Sequence, residues 1–293
     1  MKYQSTLKWL TPLIGLLALF AASVGLFYET PGESYAFTNH RGETVMINGH
    51  GLYFYDTIST TAQMQGTDLI TLVVGLPLLA ISTWLAFQGS LRGRLLLTGT
   101  LGFYLYTYMS MSMLTAYNAL FLIYVTLFSL SLFAFVLSML GFDLSTLPGH
   151  FSARLPRGWI AGLMFLIGGF LSLAWLGKIV PPLFQDTAPT LENTTTLVIQ
   201  SMDLGLIVPL AIVSGLLLLR RNPWGYLLTS VFVTKAITLG LAVSAMALNM
   251  ARVGVPDSLA IIIPFLVITL LNLIVAVQLL RNIDVRRDTP RTA

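Results

Sequence analysis

The feature that most constrains this chain is a series of eight apolar segments, each close to the length that crosses a lipid bilayer. The hydrocarbon core of a bilayer is about 30 Å thick, and about 20 apolar residues span it as a helix whose backbone groups bond one another. Hydrophobic residues make up 56% of the chain and charged residues only 10%, whereas soluble domains contain about 25% charged residues. We therefore predict an all-α polytopic membrane protein with eight transmembrane helices, at residues 9–28, 69–87, 95–114, 120–140, 159–180, 204–219, 226–249 and 259–280.

The basic residues predict the orientation of the chain, because cytoplasmic loops collect lysine and arginine. The opposite loops hold Arg41 and Arg252. Most of the others fall in the N-terminus, alternate loops and the C-terminus: Lys2, Lys8, Arg92, Arg94, Arg154, Arg157, Arg220, Arg221, Arg281, Arg286, Arg287 and Arg291. We expect both termini in the cytoplasm and a location in the cell (plasma) membrane. The net charge of +4 then reflects contact with anionic membrane lipids, with no nucleic acid partner. The pattern leaves the small-molecule substrate and the oligomeric state open.

Two halves of the sequence resemble each other. Residues 65–68 (QGTD) and 200–203 (QSMD) each open a helix that runs to a basic turn, and residues 96–98 and 227–229 (both LLT) follow at a shift of 131. Each half then holds four helices with the same orientation, so we predict a parallel 4+4 repeat about an axis along the membrane normal. The repeats would be residues 1–150 and 151–293. The alternative is that any two helical hairpins share Leu, Thr and Arg at the membrane edges.

The loop after the first helix has the pattern of a small sheet. Residues 35–38, 44–47 and 52–55 are rich in β-forming side chains, and Asn48-Gly49 separates the last two runs. Asn-Gly favours a hairpin turn, because both of its central positions need positive φ. We predict an extracytoplasmic three-strand β-meander, the cap, at about residues 33–57. The loop at 181–200 lacks this alternation.

Lys235 is the first candidate for a functional residue, because ionisable groups inside a membrane are costly and usually face a cavity or a partner. It lies about 16 Å along its helix from the cytoplasmic end, close to mid-bilayer. Its ammonium group must be compensated by a neighbour, and Asp203 is the predicted partner. Alternatively, Lys235 extends its flexible stem toward water. Asp68 is the repeat mate of Asp203, and both aspartates also fit as helix N-caps.

The third helix is polar for its depth in the membrane. Thr100, Tyr104, Tyr108 and Ser112 recur every four residues and so share one helical face. We predict that this face looks inward and lines a polar path or positions a lipid headgroup. The alternative is that these side chains only join helices to one another. When the two halves are aligned at the shift of 131, Tyr104 of the first half matches Lys235 of the second. The two halves would then carry different functional groups at the same depth.

Composition restricts metal and cofactor chemistry. The chain has no cysteine, which excludes disulfides, thiolate metal sites and iron–sulfur clusters. None of its three histidines lies in the core of a predicted helix, which excludes an intramembrane bis-histidine haem. His40, His50, Glu43 and Asp56 share the cap but lack metal-ligand spacing. We expect no metal and no cofactor, and no motif identifies a catalytic residue.

Three functions remain open on these grounds. The leading hypothesis is a small-solute or lipid-handling transporter, with Lys235 and Asp203 as a switchable pair. The second is a membrane enzyme acting on a lipid or isoprenoid, with Asp68 or Asp203 as acid or base and Tyr104 or Lys235 stabilising charge. The third is a non-catalytic structural or sensory subunit in which Lys235 belongs to a buried ion pair.

Overall fold

The computed structural model describes residues 2–185 and 187–283, so Arg286, Arg287 and Arg291 of the predicted basic C-terminus lie outside the described residues. Within this part of the chain, seven helices are long and apolar enough to cross a membrane. The chain is therefore an integral membrane protein, as predicted. The helices are α1 (Gln4–Phe27), α2 (Ile58–Phe87), α3 (Leu91–Leu114), α4 (Phe121–Leu140), α5 (Arg157–Phe184), α6 (Val198–Leu219), α7 (Pro223–Arg252) and α8 (Ser258–Arg281).

Of these eight helices, α3 is the one that is not among the seven apolar enough to cross a membrane. It packs between α2, α4 and α7, and most of its residues are buried. Neighbouring helices, rather than lipid, therefore cover its hydroxyl groups. At Gly99, α3 and α7 approach so closely that a Cβ atom would overlap Thr234. A central position explains how a helix this polar is accommodated in the bundle.

Helices α2 and α6 each contain a π-helical turn, at Thr71–Gly75 and Asp203–Ile207. Pro77 and Pro209 follow these turns by two residues. Proline lacks the N–H that an α-helix requires, and a π turn is one way in which a helix absorbs such a defect. The two turns are 132 residues apart, as are the N-caps of α3 and α7, Ser90 and Asn222. In this register Thr71, rather than Asp68, corresponds to Asp203.

Both interrupted helices begin earlier than the sequence predicted, at Ile58 instead of residue 69 and at Val198 instead of residue 204. The extra turns of α2 contain several polar side chains, which an apolar-run criterion rejects. In the bundle these turns are buried, because α1 and α7 pack against them. At Gly66, a Cβ atom would lie 2.6 Å from the backbone nitrogen of Met246 on α7.

The buried apolar residues form two main clusters. One is built chiefly by α1 to α4 together with Leu52 and Tyr53 of the cap. The other is built chiefly by α5 to α8 and includes Leu91, Leu95 and Tyr106 of α3. Helix α3 therefore contributes one face to each cluster.

The predicted three-strand meander is wrong in its number of strands. Strands β1 (Tyr35–Thr38) and β2 (Thr44–Ile47) form a two-stranded antiparallel sheet. The chain reverses between them at residues 39–43, where Gly42 has a φ of 80°. The third run forms turns instead, because the N–H of Gly49 donates to the carbonyl of Phe54 and closes a loop. The cap is also joined to the loop after α5, where the carbonyl of Glu192 accepts hydrogen bonds from Asn39 and Arg41.

The bundle has a cap end, which carries the β-hairpin, and a basic end, which carries the turns between α2 and α3, α4 and α5, and α6 and α7. Sequence reasoning overlooked Lys178, which lies exposed on α5 six residues before the helix ends at the cap end. The cap end therefore carries Lys178 in addition to Arg41 and Arg252. The basic end still has the larger share, and its cytoplasmic location stays a prediction.

Candidate functional site

A cavity of about 200 Å³ lies among six helices, in the half of the bundle nearer the cap end. It is lined by the early turns of α2 and α6, the late turns of α3, α5 and α7, and Phe265 of α8. Its polar side chains include one carboxylate, from Asp203. The other lining groups that concern its chemistry are aromatic, hydroxyl, amide and thioether side chains: Tyr106, Trp175, Phe265, Thr107, Ser110, Thr67, Gln63, Met64, Met111, Met246 and Met250.

Asp203 is buried at the start of the π turn of α6. Its Oδ1 accepts a hydrogen bond of 2.7 Å from the hydroxyl of Tyr106, and its Oδ2 accepts one of 2.9 Å from the indole Nε1 of Trp175. Both donors are neutral. No cationic donor bonds either oxygen among the described residues, so a negative charge on this carboxyl would have no opposite charge at hydrogen-bonding distance.

Lys235 does not form the predicted direct ion pair with Asp203. Its Nζ lies 3.8 Å from the centre of the Tyr106 ring, and it has no hydrogen-bond partner among the residues that the structure describes. The side chain is only 6% exposed. A desolvated cation on an aromatic face gains about 2 kcal/mol. Tyr106 therefore contacts both groups, Lys235 with its ring face and Asp203 with its hydroxyl.

Asp68 belongs to a different part of the bundle. The hydroxyl of Tyr53 donates a hydrogen bond of 2.6 Å to its Oδ2, and Gly25 of α1 closes over the same oxygen, because a Cβ atom there would overlap it. Burial raises the pKa of Tyr53 above its usual range, as does the Asp68 carboxylate, and the hydroxyl remains a donor. Asp68 is not the N-cap of α2, which is Thr57.

Tyr104, Tyr108 and Ser112 do not line the cavity. Tyr104 stacks on Tyr108 with ring centres 6.2 Å apart, and Tyr108 stacks on Tyr124 of α4 at 6.3 Å. The rings of Tyr104 and Tyr108 are buried in the cluster of α1 to α4. Ser112 is part-buried and donates to the carbonyl of Met109 in its own helix. The predicted face thus points into tightly packed side chains.

The cavity is instead lined by the neighbouring face of α3, with Tyr106, Thr107 and Ser110. The sequence contained a signal for this face, since Tyr106 and Ser110 are also four residues apart. It contained no local signal for Trp175, which lies 28 residues before Asp203 in the chain and meets it only through the packing of α5 on α6.

The cap contains one buried acid outside the membrane-spanning segments. Asp56 is 2% exposed, and its Oδ1 accepts a hydrogen bond from the backbone N–H of Ala116, while no described group bonds its Oδ2. Burial raises its pKa from 3.8 to about 7, against the lowering effect of the Ala116 bond. No group of three or more His, Asp or Glu side chains that could hold a metal ion occurs in residues 2–185 and 187–283.

Comparison of the chain with protein-family models, curated proteins and solved structures gave no match. The functional inference therefore depends on the cavity and on the groups around Tyr106.

Proposed function

We propose that this protein is a membrane transporter for a small amphipathic organic cation. The observation that carries the proposal is the position of Asp203, a buried carboxylate at the cavity whose two oxygens are bonded by neutral donors. A negative charge in a low-dielectric cavity is costly unless a cation compensates it. A cationic solute in the cavity would supply that compensation.

The size and lining of the cavity support an aromatic or aliphatic amine. A volume of about 200 Å³ exceeds the ~150 Å³ of an apolar cavity that accommodates benzene. Tyr106, Trp175 and Phe265 offer ring faces or edges to an organic cation. Methionines adapt to irregular apolar ligands, and four of them surround the cavity. A single ring with a short amine arm fits this combination.

Lys235 gives the site a second state. Without solute, its ammonium would be the cation that compensates Asp203, since both groups contact Tyr106. A solute cation would take over this role on the cavity side of Asp203. The switchable pair of the sequence hypothesis is thus retained, with Tyr106 as the group that links the two charges.

The same proposal includes the parallel repeat of residues 1–150 and 151–293. It is supported by the π turns and N-caps that recur 132 residues apart, and transporters commonly contain internal repeats. With both termini in the cytoplasm, as the charge pattern predicts, the cavity would lie toward the outer face of the cell membrane. The enzyme hypothesis is less well supported, because two carboxylates at one cavity would favour it and Asp68 does not line the cavity that contains Asp203.

Uptake into proteoliposomes tests the proposal. The probe is radiolabelled 2-phenylethylamine, with 2-phenylethanol as the neutral analogue of the same shape. We expect saturable uptake of the amine by the wild type and at least a tenfold loss in Asp203→Asn. Asp68→Asn is the matched control, because it also removes a buried, tyrosine-bonded carboxylate, and it should keep most of the uptake.

Three results would overturn the proposal. If Asp203→Asn and Lys235→Ala take up the amine as well as the wild type does, the proposed mechanism with Lys235 and Asp203 as a switchable pair is refuted. Equal binding of the amine and the alcohol, measured by thermal shift of the purified protein, removes the cation specificity. Saturable binding without uptake removes the carrier role and favours the sensory alternative.

A further inference from the structure

Tyr106 also lines a second concave region. It is a groove of about 360 Å³ between α4 and α6, with α3 and α7 as its floor. Helix α4 packs on α1 and α3, and α6 packs on α5 and α7, which leaves the space between them. Val136 on one wall is 40% exposed and Leu206 on the other is 47% exposed. Both helices are apolar enough to cross the membrane, so the groove opens sideways toward lipid.

Lys235 is the one charged residue among the described residues that line the groove, and neighbouring side chains cover its Nζ. Apart from Lys235 and Tyr106, every lining residue is apolar or glycine. Lys235 is more than nine-tenths buried, and no described residue supplies a hydrogen-bond partner for its Nζ. An ammonium group can donate three hydrogen bonds, and burying such a group without partners is costly. Tyr106 compensates the charge through its ring but accepts no hydrogen bond from Nζ.

We propose that this groove binds a single-chain fatty acid from the bilayer, with its chain between α4 and α6 and its carboxylate at Lys235, whose Nζ turns from the Tyr106 ring toward the groove to meet it. A carboxylate supplies the acceptor oxygens that Nζ lacks and a charge of the opposite sign. Its acyl chain matches walls made of side chains such as Leu132, Phe135 and Leu210.

The composition of the lining selects a fatty acid over a phospholipid. A phosphodiester headgroup would bring further oxygens into the groove, where no other described side chain could bond them, and unbonded polar groups are costly to bury. The volume gives the same answer: about 360 Å³ corresponds to about a dozen water-sized groups of ~30 Å³. That is enough for one chain of moderate length and too little for two chains with a headgroup.

Photocrosslinking in nanodiscs of neutral phosphatidylcholine tests this site. The probe is a 12-carbon fatty acid with a diazirine near its methyl end, and peptide mapping should find the label on α4 and α6. Unlabelled dodecanoate should compete at least tenfold more strongly than dodecanol, because the two share a chain and differ in charge. Lys235→Arg should keep this preference and Lys235→Met should remove it, while dodecanol still competes.

Two further variants separate the site from nonspecific effects. Leu206→Trp fills the groove without changing Lys235, so labelling by the probe should disappear. Lys178→Met removes an exposed lysine of another helix and should leave the acid preference unchanged. Asp203→Asn should also keep the preference although it should lower amine uptake at least tenfold, so that failure of this proposal and failure of the carrier proposal are distinguishable.

The proposal is overturned if the wild type does not prefer the acid to the alcohol, or if Lys235→Met retains the preference. Stronger competition by phosphatidylglycerol than by dodecanoate would overturn it in favour of a phospholipid headgroup. Labelling that Leu206→Trp leaves unchanged would place the bound chain elsewhere on the protein.

Discussion

Asp56→Asn should remove most of the pH dependence of the stability of the cap. The carboxyl is buried and its pKa in the folded protein is about 7, compared with an ordinary value of 3.8. Because the folded pKa is raised, the folded cap holds the proton more tightly than the unfolded segment does. The stability that this proton contributes is fully present below about pH 4 and is lost as the pH rises through 7.

The interval between 3.8 and about 7 corresponds to about 4 kcal/mol, at about 1.36 kcal/mol for each pKa unit. Between pH 5 and pH 8 the linkage relation gives a loss of roughly 2.5 kcal/mol in the free energy of unfolding of the cap. This loss corresponds to roughly a seventyfold rise in the equilibrium constant for opening of the cap, the opening constant. Asparagine carries no titratable proton. In Asp56→Asn the opening constant should therefore be nearly the same at both pH values.

Hydrogen–deuterium exchange of the purified protein in detergent measures this effect. Amides of residues 44–57 should exchange roughly seventyfold faster at pH 8 than at pH 5 after correction for the intrinsic rate. Asp143→Asn is the control, because Asp143 is exposed at the basic end and hydrogen bonds from Ser145 lower its pKa. Wild-type cap exchange that is independent of pH, or an unaltered pH dependence in Asp56→Asn, would refute the reasoning.

Three other substitutions test the packing, with thermal unfolding in detergent or limited proteolysis as the measurement. Gly25→Ala should destabilise the protein by about 1–3 kcal/mol, because the new methyl group displaces the carboxylate of Asp68. Gly162→Ala is the control and should leave the stability unchanged, because the Cβ atom there meets open space. Equal destabilisation by the two substitutions would contradict the packing argument. Asn222→Ala should cost about 1 kcal/mol, since it removes the N-cap of α7, and an unchanged melting temperature would count against that cap. Arg41→Ala removes two hydrogen bonds to carbonyls of the loop after α5, so that loop should be cleaved faster, and an unchanged rate would show that the bonds do not hold it.

Much of the membrane architecture could be predicted from the sequence. Seven helices that are long and apolar enough to cross a membrane followed from the length and apolarity of the segments, because a backbone in hydrocarbon must satisfy its own hydrogen bonds. The eighth predicted span is the polar helix α3, which is not among these seven. Polar turns caused the errors at helix ends. The first turns of α2 contain Thr60, Thr61 and Thr67, which are buried against other helices, and hydropathy cannot distinguish a polar residue that a neighbour covers from one that water covers.

The candidate site was only partly predictable. Lys235 and Asp203 were singled out because charge inside a membrane is costly, and a position of Lys235 near mid-bilayer stays a prediction from helix geometry. Tyr106 was present in the polar pattern of α3, but the adjacent face with Tyr104 and Tyr108 was chosen as the inward one. Both faces are buried, and they meet different helices.

The sequence by itself determined that the chain is a helical membrane protein and which charges lie within it. Tertiary structure decided that Tyr106 contacts both Lys235 and Asp203, that Trp175 bonds the same carboxyl, and that the cap has two strands. The physical reason is that periodicity relates residues along one helix, whereas the rotation of that helix about its axis is set by packing against its neighbours.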